Sequence, residues 1–198
     1  MSYNISIVDL ARVTDPDENE GQVFDIITLA DARNYLKQFA TGDIGEEDLI
    51  ASMITAARQW IERHIDQSIT KKRIIAYTDE LSDFELPLPP VVEIEGVVRV
   101  SRDGTSTALV KNVDYWEIGK GDVTINFGQV WGTVNGAAAS YKVTYLSYMN
   151  EIPEILKDAA RGILSELYYN RGNTSEKIQQ VPWGIIQKLE SFRRPRIV

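Results

Sequence analysis

Apolar positions recur at helical spacing in two stretches of the chain and alternate in the stretch between them. After Thr28, the positions Leu29, Ala32, Arg33 and Leu36 share one face of a short helix, with Tyr35 and Phe39 four apart on its flank. Thr28 and Asp31 stand where an N-cap and its third helical residue belong, and Gly42 stops the run. From about Glu46 to Ile65 a longer helix is expected. Its stripe is Leu49, Ile50, Met53, Ile54, Ala57, Trp60, Ile61 and Ile65. The second helical stretch begins near Pro153, which suits a first helical turn, and buries Ile155, Leu156, Ala159, Ala160, Ile163, Leu164 and Leu167. Gly162 interrupts that stripe, which predicts a close neighbour crossing there, and Gly172 is placed to end the helix. VPWGIIQKLESF is expected to form a last short helix.

Between these stretches the period falls to two. ITKKRIIAYTDE reads as a strand, and Pro87, Pro89 and Pro90 make the following segment extended and unable to donate to a ladder. Asp103-Gly104 is a hairpin signal, VDYWEI and VTINFG flank a GKGD turn, and YKVTYLSYM alternates strictly. The expected fold class is α+β: an antiparallel helical bundle with an inserted antiparallel β unit and extended N- and C-terminal arms. In residue terms these are an acidic N-terminal arm over 1–24, a helical domain over 25–68 and 151–192, the β unit over 69–150, and a tail over 193–198. Residues 28–65 and 153–170 are expected to pack as one bundle with Trp60 in its core.

Composition narrows the function classes. The chain of 198 residues is 43% hydrophobic and 25% charged, enough to bury a core without disulfides. It has no cysteine, which excludes thiolate zinc sites and cysteine nucleophiles and fits a reducing compartment. No apolar run approaches the roughly 18 residues of a membrane span. The opening MSYNISIVDLARVTD is not expected to act as a secretory signal, so the glycosylation patterns at Asn4 and Asn173 read as chance. The net charge is −8, with Asp15, Asp17, Glu18 and Glu20 near the start and Arg193, Arg194 and Arg196 at the end. Such a chain does not read as a duplex-DNA-gripping protein.

Catalytic constellations are missing. His64 is the single histidine, on the long helix, and reads as a packing or surface residue. DPDENEG from Asp15 to Gly21 departs from a calcium loop, with glycine one position late and Ile26 at the twelfth position. Phosphate-binding glycine loops are absent. Asp79, Glu80, Asp83 and Glu85 allow one rival reading, a carboxylate-based hydrolase. Tyr115, Trp116, Trp131, Tyr141, Tyr145 and Tyr148 allow another, a carbohydrate-binding module, although strands also use aromatics for their core.

Taken in order, the segments resemble the phage head–tail connector (adaptor) family. Thr28, Leu29, Ala32, Arg33 and Leu36 match its first helix. Glu47, Asp48, Leu49, Ile50, Ile54, Ala56, Ala57, Arg58, Ile61 and Glu62 match its second, which carries an "A-A-R-x-x-I-E" run. LPLPPVVEIEGV, YKVTYLSYMNEIPEILKDAARGILSELYYNRG and VPWGIIQKLESFRRPRI are similar to its later blocks. Asn150-Glu151 replaces a glycine after the strand, and residues 1–24 have no counterpart.

The resemblance implies a non-enzymatic virion neck subunit without cofactor or metal, synthesised in the host cytoplasm. It implies a homo-oligomeric ring, commonly a dodecamer, docked beneath the portal protein. The next connector or tail protein sits on the other face, and DNA passes through the lumen without specific binding. The expected portal or subunit interface is Trp183, Phe192, Arg193, Arg194, Arg196, Ile197 and Val198. Residues 190–198 are expected to become ordered only on a partner.

Overall fold

A computed structural model describes residues 4–9, 25–37, 47–79, 83–101, 104–127, 140–170 and 181–194. They fall into two compact units, one within residues 1–10 and 71–149, the other within 11–70 and 150–198.

The first unit is built of sheet. β1 (Asn4–Asp9), β2 (Lys72–Thr78), β8 (Ser140–Ser147), β4 (Val91–Val100) and β5 (Ser106–Ala108) lie side by side in that order, every neighbour antiparallel. β3 (Phe84–Glu85), β7 (Thr124–Phe127) and β6 (Tyr115–Ile118) form a second antiparallel sheet. The period-two pattern is the cause. On β8 the residues Tyr141, Val143, Tyr145 and Ser147 are buried, and those between them are half-buried. Ile74, Ala76, Val97, Val143 and Tyr145 from the larger sheet share one core with Phe84, Tyr115, Ile125 and Phe127 from the smaller. The turn between β6 and β7 uses Gly119 at φ +99, where a Cβ would stand 2.2 Å from the Asp122 carbonyl oxygen.

The proline segment between β3 and β4 shows how its backbone groups are satisfied. The Tyr145 hydroxyl donates to the Pro87 carbonyl at 2.5 Å, and Ser147 Oγ lies 2.5 Å from Leu88 O and 3.0 Å from Pro90 O. Side-chain hydroxyls of β8 thus reach the Pro87 and Leu88 carbonyls, and the Pro90 carbonyl also accepts from the Tyr148 amide at 3.2 Å. Tyr145→Phe leaves the buried Pro87 carbonyl without this donor and is expected to cost about 1–2 kcal/mol in chemical denaturation. A change within about 0.3 kcal/mol would show that this bond adds nothing net.

The second unit holds α1 (Leu29–Lys37), α2 (Glu47–Ile65), α3 (Glu154–Tyr169) and α4 (Trp183–Glu190). Thr28 Oγ1 accepts from the Asp31 amide at 3.1 Å, the cap that the sequence suggests. α2 packs on α3, and α1 and α4 each touch both. At the start of α3 the Lys157 ammonium, hydrogen-bonded at 2.7 Å, holds the Glu154 carboxyl below its usual range.

The expected helical bundle with a β insertion is therefore corrected. The described chain is mixed α and β, with four helices and eight strands in two antiparallel sheets. A bundle needs several helices of comparable length lying alongside one another. Only α2 (19 residues) and α3 (16) are long, whereas α1 has 9 and α4 has 8. The extended N-terminal arm is corrected over its described part: Asn4–Asp9 is a strand of the larger sheet, paired with β2 along its whole length. Trp60, expected in the core, is half-buried and stacks on His64 instead.

Candidate partner-binding site

Of the expected interface residues, Phe192, Arg193 and Arg194 lie at the end of α2. That end is fixed from inside by a buried ionic network. Arg58, 1% exposed, donates through Nε to Asp25 Oδ1 at 2.9 Å. Its Nη1 donates to Glu62 Oε2 at 3.2 Å and to Thr70 Oγ1 at 3.0 Å. Glu62 Oε1 in turn accepts from the amide of Ile69 at 2.8 Å. The network joins the segment before α1, the body of α2 and the turn after it. It also supplies a physical reason for the "A-A-R-x-x-I-E" run: its Arg and Glu are i,i+4 partners on the buried face of α2. The sequence carried a signal for this. Two charges stand on the same face as Ile54, Ala57, Ile61 and Ile65, where a solvated charge does not belong.

α4 is seated by two contacts. Leu189 is fully buried, and Ile185 Cδ1 lies 2.6 Å from where a Cβ on Gly162 would stand. The crossing neighbour expected at Gly162 is thus α4. Lys188 and Asp158 pair across the same two helices at 2.6 Å. Beyond α4 the chain turns back onto α2. The Arg194 amide donates to the Ile65 carbonyl at 3.1 Å, and Gln67 Nε2 donates to the Phe192 carbonyl at 2.7 Å. A carbonyl at the end of α2 is satisfied in this way. So residues 190–194, expected to order only on a partner, are already held within the single chain.

Of the expected interface residues, Trp183 is 70% exposed, the most open large apolar side chain among the described residues. Phe192 and Arg194 are half-buried, and Arg193 is exposed. Arg196, Ile197 and Val198 lie outside the described residues, as do Glu80, Asp103, Trp131, Gly172 and the acidic run from Asp15 to Gly21.

The features behind the rival readings are dispersed. Asp79, Asp83 and Glu85 are exposed around β3, and Asp83 accepts from Asn126 Nδ2 at 2.5 Å. Tyr115, Tyr141 and Tyr145 are buried, and burial pushes the Tyr115 phenol up. Tyr141 stacks on Phe127 with ring centres 4.2 Å apart. Trp116 is 40% exposed, so these aromatics do not form one open platform. Among the described residues no three His, Asp or Glu side chains gather as a metal site. Among them, too, no helix is long and apolar enough to cross a membrane.

The architecture has close counterparts among solved structures. A chain from the neck of an empty gene transfer agent particle, computed with C6 symmetry, superposes with a TM-score of 0.72. The match is 15% identical and covers 100% of this chain and 98% of that one. The protein shares the fold of that neck chain. A chain from the virion of the native particle gives 0.70 at 15% identity, again covering 100% and 98%. One from the native neck computed with C12 symmetry gives 0.62 at 15% identity over 86% of this chain and 90% of that one. No family model matches the sequence, and no curated protein matches it significantly.

Proposed function

We propose that this chain is a structural subunit of a virion neck, a non-enzymatic head–tail connector that forms a ring between portal and tail. The observation that carries the reading is the end-to-end likeness to a neck chain, 100% of this chain on 98% of that one. The symmetries of the related necks, C6 and C12, favour a ring, of six or twelve copies. The portal protein is the proposed partner of the tail region, with the exposed Trp183, Phe192 and the arginines Arg193, Arg194 and Arg196 as its proposed contacts. Ile197 and Val198 are proposed to bind the portal as well, and the next connector or tail protein takes the other face of the ring. An acidic subunit, net charge −8, suits a lumen that lets DNA pass without holding it.

Two outcomes are expected. Deleting residues 195–198 spares the Arg194–Ile65 and Gln67–Phe192 bonds, so the melting temperature stays near wild type while joining of heads to tails is lost. Truncated protein that still joins them at wild-type efficiency would falsify the tail's role, and rings absent by light scattering and electron microscopy at any concentration would remove the ring. The isolated subunit is also expected to show no salt-sensitive duplex binding in a filter assay. Tight binding that weakens steeply with salt would contradict the inert lumen.

A further inference from the structure

Where the chain crosses the end of α2, a hollow of about 270 Å³ opens, lined by Trp60, Arg63, His64, Asp66 and Arg193. We propose that it is a receptor site for a carboxylate side chain on an acidic peptide segment. The inference concerns a single chain and does not require the neck reading.

Two guanidinium groups, of Arg63 and Arg193, and the His64 imidazole line this hollow. Arg63 comes from α2 and Arg193 from the segment after α4; neither guanidinium donates a hydrogen bond among the described residues, and Arg193 is ion-paired with Glu190 at 3.6 Å. His64 Nε2 is buried and likewise without a hydrogen-bond partner. Besides Asp66 in the lining, the Glu190 carboxylate stands close by. Glu190 Oε1 is 3.4 Å from His64 Nε2 and 3.6 Å from Arg193 Nη1, inside ion-pair range but making a hydrogen bond with neither. It marks the position a carboxylate takes and leaves the donors unsatisfied. Asp66, the acid in the lining, already has its own interaction within the chain.

The lining is pre-organised. The Trp60 indole and His64 imidazole are parallel within 6°, with centres 5.1 Å apart. The Gln67–Phe192 and Arg194–Ile65 bonds fix the wall that carries Arg193. Two guanidinium forks in a lining that also holds this stacked pair suit a carboxylate on a short stem, whose bonds to them are charge-assisted. Glu190 is then a competitor, and its removal is expected to strengthen binding rather than weaken it.

His64 is the chain's single histidine, so its ring resonances report on this hollow alone. The probe is a peptide of sequence DPDENE, blocked at both ends, titrated into the full chain. Its neutral counterpart NPNQNQ and sodium acetate serve as controls. Saturable shifts of the His64 ring are expected with DPDENE and not with either control. Arg63→Ala and Arg193→Ala, both at exposed positions, should each weaken binding about tenfold. Glu190→Gln should tighten it several-fold, which a merely structural role for these residues does not produce. The proposal is overturned by silence of the His64 signals at millimolar peptide in both wild type and Glu190→Gln. An equal response to NPNQNQ or acetate overturns it too, as does unchanged affinity in the arginine variants.

Discussion

Replacing Arg58 with alanine is expected to destabilise the helical unit by about 3–5 kcal/mol, because two buried carboxylates lose their counter-charge. Asp25 and Glu62 side chains are 8% and 6% exposed beside a guanidinium at 1%. Neither acid can be rehydrated without opening the unit. Arg58→Lys should recover little, since one ammonium cannot reach Asp25, Glu62 and Thr70 with the same fork. Replacing all three charges together with apolar residues of similar volume should cost far less than Arg58→Ala alone. Urea denaturation followed by circular dichroism checks both. An Arg58→Ala loss below about 1 kcal/mol would mean that water enters the network, as in exposed pairs.

Ile74→Ala is the corresponding experiment in the sheet unit, with an expected loss of about 2–5 kcal/mol. Ile74 is fully buried on β2, directly opposite Ile7 of β1 and Tyr145 of β8. Removing its side chain leaves a void between strands whose hydrogen bonds hold the walls apart. Hydrogen exchange separates the two variants: Ile74→Ala should accelerate amides of β1, β2 and β8 more than those of α2, and Arg58→Ala the reverse. If Ile74→Ala changes stability by less than about 1 kcal/mol, the walls have collapsed onto the void.

Much of the local structure was legible. The α2 stripe, the cap at Thr28, the alternation of β8, the strand pair around GKGD and the close approach at Gly162 follow from spacing alone. The architecture was not, because long apolar stripes at helical spacing are louder than strands of two to four residues such as β3, β5 and β7. Asn4–Asp9 carries an alternation of Ile5 and Ile7 with polar neighbours, but the acids that follow it masked so short a signal. The tail was read as free because its own apolar content is low. What holds its root is a carbonyl at the end of a helix far away in sequence, and composition carries no trace of that.

The discontinuous make-up of each unit sets an order on folding as the chain leaves the ribosome. β1 emerges first but meets its partner only when residues 72–78 follow, after α1 and α2 have been made. The larger sheet closes only when β8 slots between β2 and β4, so the whole sheet unit is complete once residue 147 is out. α1 and α2 must wait longer still, exposing their apolar faces until α3 and α4 arrive. Such delayed, long-range closure is slow and leaves sticky surface in the nascent chain. A stalled chain ending shortly after residue 150 is therefore the form in which a chaperone would be found holding the two orphaned helices.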